Sequence, residues 1–535
     1  VPDDFSFGEF PEDFDHFEPY LNHAIKRIPS LEKVGIRKFF SGPESFTPDT
    51  NYLLGEAPEV KNFFVCCGFN SIGLASAGGA GKVTAEWMMN GGTNEDLFSL
   101  DITRFEKFHS ETKFITERVT ETLGNLYAMH WPFKQLLTSR NQKLLPYHDE
   151  LKAKGACFGQ NGGFERPMWY ALNGRKPEYE YSYEYQNWYD SAKHETMRAR
   201  KDVAFFELTP FSKFELEGEK AHSSLQYLCA NNVSDVPGKT TYTQMLNQYG
   251  GIEADLTVTC IDKNVYRVIS GSAVRTHDKH HIISHLDKSV SFADITDDYA
   301  CFGIFGPKSR KLLEELIGNE FESSSFPFGS GKFLELNGVS IWFQRLSYVG
   351  ELGWELYVPM KNAKNIYNVI NETGTSYQLV HAGAHAMDIM RMEKKYLHWG
   401  HDISPEENPF EAGLGFAVSL EKDFDFIGKK ALLKIIKQQT DKKLVLLTLQ
   451  ESEPGKPLLL HDEPIYLDGK IIGETTSGNY SFNYNKNMSI GYINTTDAVS
   501  ELQDKNLEIE VAKKKYKAKI ETQPLHDPKN ISIKS

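Results

Sequence analysis

The sequence predicts an α+β chain that is built from several modules, and three observations lead to this prediction. A short hydrophobic strand runs into a glycine-rich stretch and then into a helix between residues 66 and 90. From Tyr181 onward, strands and helices alternate, as in residues 213–216, 221–229 and 265–270. The C-terminal part consists of short strands with turn signals between them, which predicts a small β-barrel.

Composition narrows the functional class. At 535 residues, with 40% hydrophobic and 25% charged side chains, the chain is long enough for several globular domains. A formal net charge of −14 argues against a nucleic-acid binder, which needs a basic face. Six cysteines without CxxC spacing predict neither a zinc site nor a disulfide framework, and no apolar run is long enough for a membrane span. We therefore expect a reducing compartment, the cytoplasm or the mitochondrial matrix of a eukaryote.

The first module contains two predicted helices. Residues 14–28 carry apolar side chains at helical spacing, which predicts an amphipathic helix. Residues 62–65 read as a buried strand, and residues 80–90 as a helix that Gly91 ends. The glycines between them are expected to supply sharp turns, namely Gly68, Gly73, Gly78, Gly79 and Gly81. Backbone amides at a helix start can face a phosphate, a carboxylate or the edge of a reduced flavin ring.

Three strings in this module carry a family resemblance. GPESFTPD at 42–49, LLGEAPEV at 53–60 and CGFNSIGLASAGGAGK at 67–82 resemble the closing segment of the flavin domain in dimethylglycine and sarcosine dehydrogenases. The resemblance implies FAD as a cofactor. It places the flavin ring along six consecutive residues, namely Phe69, Asn70, Ser71, Ile72, Gly73 and Leu74. The sequence has no GxGxxG turn, so we expect the dinucleotide-binding part of that domain to lie outside it.

The middle of the chain contains a predicted hairpin with an acidic residue on its second strand. In YTQMLNQYGGIEADLTV, which starts at Tyr242, Gly250 and Gly251 form a turn between two strands. Alternation then places Glu253, Asp255 and residue 257 on one face and apolar residues on the other. By itself this pattern is typical of a strand whose polar face meets solvent.

Two further strings extend the resemblance to this module. Together with the hairpin, LSYVGELGWELYVP at 346–359 and MRMEKKYLHWGHDISPEENPFEAGLGF at 390–416 resemble the folate-binding glycine-cleavage T-protein module, which follows the flavin domain in those dehydrogenases. The resemblance implies tetrahydrofolate as a second cofactor and Asp255 as the catalytic residue. The folate-binding residues it implies are Tyr242, Asp255, Leu256, Thr257, Tyr348, Glu355, Leu356, Tyr357, Arg391 and Phe416.

The residue types suit these implied roles. The carboxylate of Glu355 can accept two neighbouring N–H groups of a pterin side by side, and Arg391 can serve a carbonyl oxygen or the glutamate tail of the folate. Aromatic rings offer flat surfaces to the ligand rings. Asp255, in a partly desolvated pocket, can take the proton that a folate nitrogen loses when it captures the one-carbon unit from an oxidised amine.

The resemblance also implies a division of the chain. It predicts the C-terminal remnant of an FAD-dependent oxidoreductase domain at 1–105 and a connecting region at 106–180. It then predicts a folate-binding aminomethyltransferase domain at 181–435, a C-terminal β-barrel at 436–525 and a tail at 526–535.

A group of histidines offers an alternative to cofactor chemistry. His281 and His285 lie four residues apart, a spacing that zinc ligands often have on a helix. The apolar residues Ile282, Ile283 and Leu286 are sufficient for an ordinary amphipathic helix. We therefore predict no metal site.

Three functions remain open. The leading hypothesis is part of a flavin-dependent dehydrogenase that acts on dimethylglycine, sarcosine or a similar N-methyl amine, passes electrons to a separate acceptor and transfers the one-carbon unit to tetrahydrofolate. The second is a folate-binding aminomethyltransferase without its own oxidation chemistry. The third is a non-catalytic subunit, because FERP at 164–167 and EPIY at 463–466 also resemble the regulatory subunit of pyruvate dehydrogenase phosphatase. Asp255, Glu355 and Arg391 together favour an enzyme.

Overall fold

A computed structural model describes residues 6, 8–438, 440–503 and 505–535. The N-terminal part holds three helices and one antiparallel hairpin. The predicted first helix is confirmed, although none of its residues is buried, and its Phe17 ring packs on Phe39 with 5.2 Å between centroids. The elements are α1 (Phe14–Arg27), β1 (Leu53–Glu56), β2 (Phe64–Cys67), α2 (Gly73–Asn90) and α3 (Thr112–Asn125).

Helix α2 begins earlier than the sequence suggests. Four of the glycines that we expected in turns lie within it, namely Gly73, Gly78, Gly79 and Gly81, so that expectation was wrong. An exposed helix tolerates glycine at a cost of about 1 kcal/mol per residue, which the flanking helix formers offset. The predicted end of the helix is confirmed, since Gly91 adopts a left-handed conformation with φ of 74°.

The central part of the chain contains most of the secondary structure. Its strands are β3 (Ala156–Asn161), β4 (Phe164–Tyr170), β5 (Ala204–Glu207), β6 (Ser212–Glu217), β7 (Thr240–Leu246), β8 (Ile252–Asp262), β9 (Val265–Ser270), β10 (Ser291–Asp294), β11 (Tyr299–Phe305), β12 (Ser330–Leu336), β13 (Val339–Arg345), β14 (Gly353–Pro359) and β15 (Val380–Ala382). Its helices are α4 (His148–Ala153), α5 (Tyr189–Lys201), α6 (Ala221–Leu228), α7 (Arg275–His285), α8 (Ser309–Ile317), α9 (Ala363–Gly374), α10 (Ala384–Glu393) and α11 (Lys429–Gln438).

Two sheets form the frame of this central part. The first is antiparallel, with strand order β10-β6-β9-β8-β7, and the second has the order β12-β13-β14-β11-β5-β15. Helices α6 and α7 cover the outer face of the first sheet, where Leu225 and Ile282 pack with Leu256. Helices α8 and α9 cover the outer face of the second sheet, where Leu312 and Ile366 pack in one core. Part of the inner face of the second sheet also packs with α5 and α10 in a core that includes Phe206, Trp342 and Met390. The candidate site lies on the rest of the two inner faces.

The predicted C-terminal barrel is confirmed as a closed six-stranded barrel in the order β16-β19-β18-β17-β20-β21. The predicted turn at Asp468 and Gly469 has φ of 49° and 81°, both in the left-handed region that a tight hairpin requires. The elements are β16 (Lys442–Leu449), β17 (Pro464–Leu467), β18 (Lys470–Ser481), β19 (Lys486–Asn494), β20 (Leu507–Val511), β21 (Lys514–Glu521) and the final helix α12 (Ile531–Lys534).

The N-terminal part docks on the central part at α7. The ring of Phe98 lies edge-on to His277 and Trp399, with centroid distances of 5.6 and 5.2 Å. Nearby, the Nε2 atom of Gln248 donates a 2.7 Å hydrogen bond to the carbonyl oxygen of Asn90. This junction lies beside β8, because Trp399 Nε1 also donates to the carbonyl of Ile252 at 3.0 Å.

The described ranges also show whether the chain has a membrane-spanning helix or a cluster of metal-binding side chains. No helix there has the length and apolar character needed to cross a bilayer. Likewise, no group of three or more His, Cys, Asp and Glu side chains in those ranges is arranged to hold a metal ion.

Candidate active site

The hairpin of β7 and β8 presents four polar side chains on one face. Cross-strand pairing sets Gln244 opposite Asp255 and Tyr242 opposite Thr257. The alternate residues of β8 face the other way into the core under α6 and α7. Asp255 is half-buried rather than exposed, so its side chain is only partly in contact with solvent.

This polar face looks toward the second sheet. Gln344 on β13 is the cross-strand neighbour of Glu355 on β14, so the two side chains share a face. The Gln344 amide bonds to the hydroxyl of Thr240, and the hydroxyl of Thr259 donates to Gln344 Oε1 at 3.3 Å. Because Thr240 and Thr259 share the face of Asp255 by alternation, the two inner faces oppose each other.

Asp255 is a desolvated carboxylate with one strong partner. The Nε2 atom of Gln244 donates a 2.9 Å hydrogen bond to its Oδ1 atom. Desolvation raises the pKa of Asp255 to about 6, although hydrogen bonds from Gln244 and Tyr242 act in the opposite direction. A carboxyl group with such a pKa can take up and release a proton near neutral pH.

Three aromatic side chains surround this carboxylate. Tyr242 and Tyr348 are half-buried, and Tyr348 interacts electrostatically with Asp255 while its hydroxyl donates to the carbonyl of Leu397 at 2.8 Å. The ring of Phe416 stacks on Tyr242 with centroids 6.1 Å apart, and 75% of Phe416 is exposed. The structure therefore brings together Tyr242, Tyr348 and Asp255, with Phe416 at the rim.

Glu355 lies on the opposing sheet and keeps an oxygen atom free. Its Oε2 atom accepts a 2.7 Å hydrogen bond from the hydroxyl of Tyr357, and burial raises its pKa. Within the described ranges Glu355 forms no ion pair, and its Oε1 atom is not among the sealed polar atoms of the core. A half-buried carboxylate with spare acceptor capacity suits a ligand that carries neighbouring N–H groups.

Two of the predicted folate residues point away from this face. Leu256 and Leu356 are 3% and 0% exposed, and their side chains pack in the outer cores of the first and second sheets. Alternation along each strand is the reason, since both neighbours of an inward-facing residue must face outward. For both leucines, only the backbone remains available to line the site.

Arg391 is tied to protein acceptors. It is 2% exposed, and its Nε atom donates to Asp388 Oδ1 at 2.8 Å while Nη1 donates to Asp402 Oδ2 at 2.5 Å. Its Nη2 atom donates to Ser477 Oγ on β18 at 2.9 Å. Burial opposes the charge, but Asp402 and Asp388 hold the pKa of Arg391 above its ordinary value. The guanidinium therefore joins α10 to the barrel behind Tyr348.

The predicted flavin loop is largely exposed, although Asn70 within it is buried. Phe69 stacks on Tyr52 with centroids 4.8 Å apart, and Asn70 and Ser71 both adopt positive φ of 47° and 65°. The Asn70 amide donates to the carbonyl of Gly68 at 2.6 Å, which holds the loop in this shape. Ile72 caps α2 without a side-chain hydrogen bond, Gly73 is the first helical residue, and Leu74 is fully exposed.

Sequence reasoning did not single out Gln244, although the hydrogen bond of its side chain fixes Asp255. A β-bulge between Met245 and Leu246 shifts the register of the hairpin. Counting back from the Gly250 turn without the bulge pairs Thr243 with Asp255 and puts Gln244 on the wrong face. The register was therefore the missing signal.

Family comparisons agree with this architecture. The GCVT N-terminal domain matches residues 147–422, and the glycine cleavage T-protein C-terminal barrel domain matches 442–527. The chain belongs to the glycine cleavage T-protein family. Its N-terminal part matches the FAD dependent oxidoreductase family at 2–87 and the central domain of that group at 90–144.

Individual relatives combine the same parts. The chain is 36% identical to 4-methylaminobutanoate oxidase (formaldehyde-forming) of Paenarthrobacter nicotinovorans, over 99% of this chain and 63% of that protein. It is 34% identical to mitochondrial sarcosine dehydrogenase of Homo sapiens, over 92% and 58%. It is 33% identical to the mitochondrial pyruvate dehydrogenase phosphatase regulatory subunit of Mus musculus, over 96% and 61%. The chain thus spans about three fifths of the length of these curated relatives.

A solved structure agrees with the fold. The glycine cleavage system aminomethyltransferase T from Bartonella henselae superposes with a TM-score of 0.61 at 20% identity, covering 72% of this chain and 99% of that chain. At this identity the likeness concerns the fold alone.

The ion pairs of Arg391 generate a first prediction. Arg391→Met should lower the stability of the folded chain by about 3–5 kcal/mol, because it leaves the carboxylates of Asp388 and Asp402 without their cation. Chemical denaturation followed by tryptophan fluorescence measures the effect. As a control, Lys82→Met removes an exposed ion pair with Glu86 and should change stability by less than about 0.5 kcal/mol. Unchanged stability together with lost tetrahydrofolate binding would instead make Arg391 a ligand contact.

Proposed function

We propose that this chain carries the folate site, and part of the flavin site, of an N-methyl amine dehydrogenase that transfers a one-carbon unit to tetrahydrofolate. The observation that carries the proposal is the desolvated carboxylate of Asp255, which Gln244 holds on an inner face opposite Glu355. A non-catalytic subunit has no chemical need for such an acid. The family relationship and the oxidoreductases among the relatives support the same conclusion.

The residues present fit a reduced pterin. Glu355 has an oxygen free to accept N–H groups, and the stacked rings of Tyr242 and Phe416 offer a flat edge at the entrance. Bound tetrahydrofolate supplies the nucleophilic nitrogen that takes up the one-carbon unit. In this arrangement Glu355 orients the pterin, and the carboxylate of Asp255 accepts the proton that the nitrogen releases.

The flavin loop fits an apolar ring with an electron-rich edge. Leu74 and Ile72 expose apolar side chains beside the first turn of α2, whose amide groups have no side-chain cap. Phe69, Asn70, Ser71 and Gly73 complete the stretch that we propose to contact FAD. The proposal assigns no individual side chains to amine binding. Sarcosine and dimethylglycine remain the candidate substrates, and the electron acceptor is a separate partner.

A second candidate function follows from one relative. The chain is similar over 96% of its length to a regulatory subunit, so similarity alone does not separate catalysis from regulation. The same experiments decide between the two, because a purely regulatory subunit would lose nothing when Asp255 is neutralised. A transferase without its own oxidation chemistry would depend on Asp255 but would release no electrons from the amine.

The first test concerns Asp255. With protein made from the complete reading frame, Asp255→Asn should lower the rate of one-carbon transfer to tetrahydrofolate by about 10²–10⁴-fold, since it removes the base. The measurement is the ratio of methylenetetrahydrofolate to free formaldehyde when dimethylglycine or sarcosine is oxidised. Flavin reduction by the amine should be unchanged. Asp262→Asn, at the exposed end of the same strand, is the control.

The pH dependence of one-carbon transfer tests the same role of Asp255. The base form of Asp255 is lost as pH falls through its pKa of about 6, so wild-type transfer should decline with unit slope below that pH. A transfer rate that stays flat down to pH 5 would contradict the role of Asp255 as the base.

The second test concerns Glu355. Glu355→Gln replaces a charge-assisted acceptor by a neutral amide and should weaken tetrahydrofolate binding about 10-fold to 100-fold, as hydrogen bonds to charged groups contribute about 1.5–3 kcal/mol. Titration calorimetry on this chain measures the affinity directly. Glu335→Gln, an exposed position on the same sheet, should bind as the wild type does. Equal affinity in both variants would remove Glu355 from the site.

The third test concerns Gln244 as a positioning residue. Gln244→Leu removes the donor to Asp255, so the pKa of Asp255 should rise and the acidic limb of the transfer profile should move above pH 6. Gln244 is fully buried and its Oε1 atom has no partner within the described ranges, so the substitution should not lower stability. Lower stability without a shifted limb would show a structural role only.

A further inference from the structure

One buried arginine near the site has no counter-charge. Arg166 on β4 is 9% exposed, and within the described residues the one hydrogen bond of its side chain runs from Nη2 to the sulfur of Met387 at 3.6 Å. A thioether is a weak acceptor. Across the described part of the chain, Arg166 forms no ion pair. Burial lowers its pKa to about 10, so the guanidinium still carries its charge at neutral pH.

Two other buried arginines each donate to a backbone carbonyl, although the Nε atom of each has no partner among the described residues. Arg345 donates to the carbonyl of Phe326 at 2.6 Å, and Arg118 donates to the carbonyl of Thr138 at 2.6 Å. A buried cation without such partners is costly unless a ligand supplies them. The unpaired nitrogens of Arg166 are not among the sealed polar atoms of the core, so they border a space that ligand atoms can enter.

Arg166 borders the site of Asp255. The nearest charged or titratable groups are Glu207, Tyr348 and Asp388, all of which interact with it electrostatically. Glu207 accepts hydrogen bonds from the hydroxyl of Tyr147 and the backbone of Thr209, and Asp388 accepts from Arg391. Among the described residues neither carboxylate forms an ion pair with Arg166. Met387, which accepts the hydrogen bond of Arg166, packs in one core with Tyr348, and Tyr348 interacts electrostatically with both Arg166 and Asp255.

We propose that Arg166 anchors a carboxylate group of the ligand that binds beside Asp255. The inference rests on the proposed function and deepens it, because it assigns a residue to one part of the ligand. A guanidinium presents two parallel N–H groups that match a carboxylate. Two molecules of the proposed reaction carry that group, the glutamyl tail of tetrahydrofolate and an N-methylated amino acid.

Binding measurements on this chain separate the two sources. Calorimetry compares tetrahydrofolate with the amide of tetrahydropteroate, which lacks the glutamyl tail and ends in a neutral carboxamide, and N,N-dimethylglycine with dimethylamine, which lacks the carboxylate. In wild-type protein the carboxylate-bearing member of at least one pair should bind at least tenfold more tightly. Arg166→Met should abolish that preference and leave the partner without the carboxylate unaffected. Which pair responds identifies the source.

Control variants keep the test sharp. Arg175→Met removes an exposed charge that pairs with Asp190, and it should preserve the preference. The thermal midpoint of Arg166→Met should equal or exceed that of the wild type, because an uncompensated buried charge is removed. Equal weakening of both members of a pair, no weakening at all, or a lower midpoint with unchanged binding would overturn the proposal.

The role of Arg166 as a carboxylate anchor and the role of Asp255 as the base can be tested separately. If Asp255→Asn transfers one-carbon units normally while Arg166→Met loses the carboxylate preference, the anchor stands and the assigned base is wrong. If Asp255→Asn blocks transfer and Arg166→Met binds every ligand as the wild type does, the base stands and the anchor is wrong.

Discussion

The architecture around the site depends on the guanidinium of Arg391. It holds α10, the Asp402 loop and β18 of the barrel together through contacts at 2.5–2.9 Å in a buried environment. Hydroxyls of Thr476 and Ser477 on the same barrel strand also donate to Asp402. Since Tyr348 packs next to this network, the barrel acts as a brace that fixes one wall of the site without contributing a base.

Next to the Arg391 network, carboxylates on the inner faces of the two sheets supply the reactive groups of the site. Carboxylates on opposed faces lose most of their hydration, so the pKa values of Asp255 and Glu355 both rise. Each keeps only one or two hydrogen-bond partners, from Gln244 and Tyr242 or from Tyr357. Such groups would be poor stabilisers of a fold, and their place in the structure makes sense through what they offer a ligand.

Much of this was readable from local pattern. Period two on β8 correctly separated Asp255 from Leu256, and turn residues located the barrel hairpin at Asp468. Other features needed long-range geometry. The oxygen partners of a guanidinium come from distant strands and cannot be counted from the sequence. Sequence reasoning therefore named Arg391, whose nitrogens are paired with protein oxygens, and passed over Arg166, which lies in the predicted connecting region. Gly78 and its neighbours show the reverse problem, because a local breaker signal was outweighed by the helix around it.

The edge-on ring of Phe98 has a consequence for how this protein can be dissected. The Phe98 ring lies edge-on to both His277 and Trp399. His277 in turn contacts Glu253, which lies two residues before Asp255 on the same strand. Burial disfavours the imidazolium, but the hydrogen bonds that it donates to Asp278 and Glu253 outweigh this effect and raise the pKa of His277. Removing the segment around Phe98 would therefore expose the charged cluster of His277 and Glu253 to water, two residues from Asp255 on β8. We expect the N-terminal part and the central part to be needed together for an intact site.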